Sequence, residues 1–247
     1  MTKLADAVLA SGRNIAFDSV LKWVLLMALI TLGAAVSYEY GLLTYLFAAD
    51  ESRITVLIAV LYVGFSMHCL WILVELGREY RRALEVQALL ATTTTVPDIP
   101  KGKGLIDRYL ADLIRSREQK SDVEGNAHLL MMSLGASLRR RAKVGTYGAD
   151  LLYKLGLLGT MVGFVMRLNS MGDLSNFDVD TLRGALQKMI AGMAVSLLTT
   201  IAGLIGGILL RLEYNIADAL VTDISQTAVS FTEVSLLPLL AQKEPGG

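Results

Sequence analysis

Gly156-Leu-Leu-Gly-Thr-Met-Val-Gly163 decides the reading of this chain, together with its companion Ser196-Leu-Leu-Thr-Thr-Ile-Ala-Gly203. Both blocks lie in apolar runs, and in a helix, where successive residues turn by about 100°, their small and hydroxyl residues fall on one face. In the first run that face holds Gly156, Gly159, Thr160 and Gly163, with Gly159 and Gly163 forming a small-xxx-small pair. In the second it holds Gly192, Ser196, Thr199, Gly203 and Gly206, with Thr200 and Gly207 at its flank. Such faces let helices approach closely, and hydroxyls at membrane depth point to an ion path.

Composition fixes the class. Hydrophobic residues make up 53% of the 247 residues and mean hydropathy is +0.51, values of an integral membrane protein rather than a soluble domain. Ile54 to Val74 carries no charge and as a helix reaches about 31 Å, the hydrocarbon thickness. Met189 to Leu210 is a second such run, bracketed by Lys188 and Arg211 where cations snorkel. Trp23 to Tyr38 is a third, ending in the interfacial Tyr38-Glu39-Tyr40. In Leu151 to Met171 the cations Lys154 and Arg167 leave only residues 155–166 uncharged, about 18 Å of helix. So short and Gly-rich a span belongs inside an assembly rather than against lipid.

The expected fold is an all-α integral membrane protein of four transmembrane helices with long cytoplasmic helical extensions. The divisions are residues 1–22 (cytoplasmic N-terminal segment), 23–76 (the first two spans), 77–148 (cytoplasmic helical segment), 149–211 (the pore-facing pair of spans) and 212–247 (cytoplasmic helix and tail). Orientation follows from Arg78, Arg81, Arg82, Arg139, Arg140, Arg141 and Lys143 in the central segment, which the positive-inside rule places in the cytoplasm with both termini. The loops 39–53 and 172–187 then lie outside. A cleaved signal ending near Gly33-Ala-Ala is the alternative for the first run, and it leaves the downstream orientation unchanged.

In the central segment Ala91 to Gly104 reads as a break, followed by helices over Leu105–Glu118 and His128–Lys143. Leu110, Leu113 and Ile114 make an apolar edge on the first of these. After Arg211 an apolar pattern through Leu212, Ile216, Leu220, Ile224 and Val229 continues the last span as one long helix up to the breaker Pro238, and the tail from Gln242 reads as disordered.

Several chemistries are disfavoured. The single Cys69 permits no intramolecular disulfide or cysteine cluster. His68 on a span reads as an imidazole bonded to a neighbouring helix. Ser66 and His68 are two residues apart and point to different faces, and there is no HExxH metal site or paired intramembrane Asp, so neither an enzyme, a metal nor a cofactor is expected. With 23 basic and 23 acidic residues the chain offers no nucleic-acid footprint. No Asp or Glu stands in the middle of any run. Hydroxyls and carbonyls alone make no proton carrier, so the titrating group has to come from another subunit.

Leu155-Gly-Leu-Leu-Gly-Thr-Met-Val-Gly-Phe164 followed by Ala191-Gly-Met-Ala-Val-Ser-Leu-Leu-Thr-Thr-Ile-Ala-Gly-Leu204 resembles the paired blocks of the MotA/TolQ/ExbB family over residues 149–215. The resemblance implies a homo-oligomer, five copies in the bacterial inner membrane. Its two signature spans would face a pore holding a dimer of a single-span partner similar to MotB, TolR or ExbD, which supplies an Asp. Thr160 and Thr200 fall on the signature threonines, and Thr199 and Ser196 add oxygens to the same ion path. Gly156, Gly159, Gly163, Gly192, Gly203 and Gly206 become the packing face of the pore. Val195 stands where many TolQ and ExbB relatives carry Glu. Four spans resemble the flagellar stator subunit, whereas the LGLLGT block resembles the transport branch. The implied mechanism is rotary: an ion neutralises the partner Asp and favours a turned position of ring against dimer, each crossing supplying about 2.3 kcal/mol per 100 mV. A sodium-driven version and a passive helical scaffold or receptor are the alternatives.

Overall fold

A computed structural model describes residues 2–49, 53–92, 104–118, 123–169 and 179–238, and these are almost wholly helical, most of them in long helices. In chain order they are α1 (Thr2–Glu39), α2 (Leu42–Ala49), α3 (Ile54–Thr92), α4 (Leu105–Glu118), α5 (Val123–Asn169) and α6 (Val179–Phe231), closed by a π-helical turn over Thr232–Leu236. Among the described residues four helical stretches are long and apolar enough to cross a membrane: Asp18–Glu39, Ile54–Leu90, Gly125–Met166 and Ser196–Leu236. The four expected runs each lie within or overlap one of these.

The helices are longer than the runs. With 39, 47 and 53 residues, α3, α5 and α6 span about 58, 70 and 80 Å, against about 30 Å of hydrocarbon. Each therefore continues outside the bilayer. The helix expected at His128–Lys143 and the short third span are one element, because nothing between Lys143 and Leu151 breaks a helix. The loop expected at 172–187 is shorter than the reading placed it, since α6 is helical from Val179, while residues 170–178 lie outside the described residues. The loop 39–53 contains α2. Gly41 makes the turn into it with φ +72°, a conformation that only glycine adopts without strain. Most of the break at 91–104 and the tail beyond 238 also fall outside the described residues.

The chain forms two compact units. One comprises residues 1–24, 70–143 and 215–247, the other residues 25–69 and 144–214. In the first, α4 lies on α3 through a buried edge of Ile106, Tyr109, Leu110 and Leu113, close to the expected edge except that Ile114 is only half-buried. Glu79 of α3 accepts the backbone N–H groups of Leu105 and Ile106 at 3.0 and 3.3 Å, satisfying donors that a helix start leaves open. Arg82 Nε holds Asp107 at 2.8 Å. Arg141 pairs with Glu75. Tyr109 meets Phe231 edge to face and shares a 2.9 Å hydrogen bond with Thr232. Along α6 the buried residues are Ala217, Leu220, Val221, Ile224, Ala228 and Phe231, whereas Leu212 and Val229 of the expected pattern are exposed.

In the second unit the glycines set the register. A Cβ on Gly159 would meet Ile54 at 3.3 Å, one on Gly206 would meet Ile58 at 3.9 Å, and one on Gly148 would meet the Phe65 ring at 3.0 Å. Residue numbers therefore rise together along α3 and α6 and oppositely along α5. In the same register Tyr62 is bonded to Glu213. Tyr62 is eight residues past Ile54, about 12 Å into the uncharged run of α3.

Candidate functional site

The α5–α6 crossing is built by backbone approach. A Cβ on Gly203 would lie 2.7 Å from the Gly156 Cα and from the Leu152 carbonyl, and one on Gly156 would lie 3.1 Å from the Gly203 Cα. Three residues up α5, the place of a Gly159 Cβ is filled by Thr199, whose Oγ1 is 2.6 Å away; at Gly163 it is filled by Ser196 Oγ at 2.8 Å. The small residues of one helix thus receive the hydroxyl side chains of the other, the packing that small-xxx-small faces produce.

This geometry separates the four hydroxyl residues. Ser196 and Thr199 are 7% and 2% exposed, enclosed between the two helices of one chain, and Thr199 donates to the Ser196 carbonyl at 2.7 Å. Thr160 donates to the Leu157 carbonyl one turn back at 2.6 Å. These are the local bonds that intrahelical hydroxyls commonly make. Thr200 behaves differently: its hydroxyl reaches across to the Gly156 carbonyl of α5 at 2.9 Å and to Thr160 Oγ1 at 3.3 Å. One hydroxyl has one proton, so the shorter bond dominates and the two threonine oxygens stand side by side. Both threonines are half-buried, at the edge of the contact. The structure brings Thr160 and Thr200 together and encloses Ser196 and Thr199 behind them. Gly206 touches Leu152 at an ordinary 3.5 Å, and Gly192 lies within α6.

The edge carrying Thr200 continues along α6. Eleven residues on, about three turns, Arg211 lies on the same face and approaches Asp150 of α5 at 3.8 Å, both side chains about half exposed. Between them the face presents Leu204, with Leu197 before it, and α5 presents Leu157 and Met161, all exposed. In the register of the second unit this ion pair stands level with Tyr62, deep in the uncharged run of α3. Charges at such depth turn to water or to protein, not to lipid.

A third cluster was not anticipated from the sequence. Glu213 is fully buried and accepts a 2.7 Å hydrogen bond from the Tyr62 hydroxyl. The neighbouring Tyr214 donates to the Phe65 carbonyl at 3.2 Å and lies 2.8 Å from His68 Nδ1, so His68 is bonded to another helix as expected. The Tyr214 ring rests on Gly145, where a Cβ would stand 1.9 Å from it. Arg211, read as the end of the span, hid Glu213. The available signal was spacing: Gly206, Leu210, Glu213, Ala217 and Leu220 recur at three and four residues, which sets a carboxyl in an apolar stripe.

Long membrane-grade helices, a close glycine crossing and a threonine pair beside a charged edge define a polytopic helical membrane protein with a polar seam. The sequence model of the MotA/TolQ/ExbB proton channel family matches residues 103–229, half of the chain and all of α4, α5 and most of α6, and the chain belongs to that family. No curated protein matches it. Family members are channel and energiser proteins rather than enzymes.

Proposed function

We propose that this chain is the ring-forming subunit of a proton-driven rotary complex in a bacterial inner membrane. Five copies enclose a dimer of a single-span partner similar to MotB, TolR or ExbD, and both termini are cytoplasmic. The observation that carries the reading is the Thr160–Thr200 pair at the edge of the α5–α6 contact, on a face that runs on to Arg211 and Asp150. That face combines side-by-side hydroxyl oxygens, charge at a depth where lipid would exclude it, and large apolar side chains between them. A transmembrane helix of a partner is the surface that suits all three. Its Asp, neutralised by a proton passing the threonines, would lose its charge and with it its preference for one angular position. The threonine oxygens lower the desolvation cost of that passage.

The proton reading is preferred to sodium because Thr199, which a sodium site would need as a further oxygen beside Thr200, is enclosed against Gly159 and engaged with the Ser196 carbonyl. A bare cation needs several oxygens at one point.

The test is reconstitution of the full chain with its single-span partner in liposomes. Thr200→Val is expected to assemble normally and to lose proton flux, and Thr160→Val to reduce it. Sustained selective current from the chain alone, or undiminished flux in both variants, overturns the proposal. A passive scaffold predicts normal work in both.

A further inference from the structure

The seam leaves the carboxyl of Glu213 unused. It sits at 0% exposure on α6, thirteen residues from Thr200, about 20 Å along the helix, and level with the middle of the uncharged run of α3. The Tyr62 hydroxyl is aimed at its Oε1. Among the groups that face it are Tyr62 and Cys69 of α3 and Tyr214 of α6, with His68 bonded to Tyr214, while Arg211, two residues earlier on α6, turns to Asp150 of α5. The α5 wall is otherwise shaped by Gly145 and Gly148, which admit the Tyr214 and Phe65 rings.

We propose that Glu213 is a proton-binding site inside the subunit, a carboxyl that takes up and releases a proton within the packing of α3, α5 and α6. A carboxylate pays heavily to leave water, so its charge state and its burial are coupled. The acid stands in a helix stripe whose other members, Gly206, Leu210, Ala217 and Leu220, are small or apolar. The step balances simply: hydronium gives its proton to the carboxylate, leaving water and a neutral carboxylic acid. The phenol of Tyr62 serves both forms, because the charged carboxylate and the carbonyl oxygen of the acid each accept its hydrogen. Loading removes one negative charge from the contact between α3 and α6. It thereby couples the packing of α3 and α6 to protonation, two residues along α6 from the half-exposed Arg211–Asp150 pair.

The experiment is infrared difference spectroscopy of the full-length protein in phospholipid nanodiscs, stepped between neutral and acidic pH. A carboxylic C=O band that arises on acidification, shifts in D2O and is lost in Glu213→Gln supports the site. Tyr62→Phe should move that band without removing it, because it deletes the hydrogen bond and leaves the acid. Superimposable difference spectra of the wild type and Glu213→Gln, with equal helicity by circular dichroism, overturn the proposal. Should Glu213→Gln not fold, identical spectra of the wild type and Tyr62→Phe overturn it as well. The measurement needs neither partner nor ion flow, so it stands or falls apart from the reading of the chain as a motor subunit.

Discussion

The Cα of Gly156 on α5 stands 2.7 Å from the point that a Cβ on Gly203 of α6 would occupy. The neighbour is backbone, which has no rotamer to yield, so the two helices must part if a methyl group is added. Gly203→Ala should cost about 1–3 kcal/mol, the range of overpacked cores. Gly206→Ala meets the ends of Leu152 at 3.5 Å and Ile58 at 3.9 Å, both ordinary contacts, and should be neutral, or stabilising by up to about 1 kcal/mol because it restrains the unfolded chain. Thermal unfolding of the two variants in detergent gives the comparison. Equal melting temperatures would show that the crossing is looser than the geometry requires.

The same reasoning applies at Gly145, where the obstacle is the Tyr214 ring at 1.9 Å. An aromatic ring pinned by Phe65 and His68 cannot swing clear without breaking both contacts. Gly145→Ala should therefore destabilise the chain and disturb the His68 environment together, visible as a shifted imidazole resonance in labelled protein. Gly64→Ala faces open space in the single chain and should leave the isolated chain as stable as before. If Gly64→Ala abolishes oligomer formation while keeping that stability, its face is a contact between copies.

Much of this was legible in the sequence. The uncharged run of α3 and the charge-bracketed run of α6 announced their spans through length alone, and the small-residue faces of α5 and α6 were visible from helical spacing. The spacing could not say what each face meets: Ser196 and Thr199 share a stripe with Thr200, yet Gly163 and Gly159 of the same chain enclose them. Periodicity gives the direction of a side chain but not the neighbour waiting there. Glu213 was missed for a related reason. In sequence Arg211 reads as the end of the span, whereas register against α3, which no single sequence displays, sets Tyr62 beside Glu213. The continuity of α5 went unread because a charged stretch such as Arg139-Arg-Arg141 looks like a boundary when it is only a stretch of helix leaving the bilayer.

In the first unit the docking of α4 rests on charge. Glu79 receives two backbone N–H groups at the start of α4, and Asp107, 8% exposed, holds Arg82. The Asp107 contact, backed by a second bond to Glu85, keeps the Arg82 guanidinium above its ordinary value. Glu79→Gln removes the anion from the positive end of the helix and should cost about 1 kcal/mol. Asp107→Asn should cost about 1–2 kcal/mol, less than a fully buried pair because Arg82 is partly in water. Hydrogen exchange confined to α4 should quicken in both variants while α5 and α6 keep their protection. Uniform loss of protection would mean instead that α4 is part of one cooperative unit.

A pH dependence follows from Tyr109. Burial pushes its phenol above the ordinary value of 10.0; the bond to Thr232 pulls it down and the nearby Glu233 charge adds to the rise. The folded value lies above the unfolded one, so the folded state keeps the proton longer. The contribution is intact below pH 10 and is lost as pH climbs from there toward the folded value. Tyr80, also raised chiefly by burial, acts in the same direction. Denaturation midpoints of the purified chain should hold steady up to about pH 9 and fall above about pH 10, and Tyr109→Phe should flatten part of that fall while lowering the plateau through loss of the Thr232 bond. An alkaline limb unchanged by Tyr109→Phe would place the titrating group elsewhere, with Tyr80→Phe as the next substitution to measure.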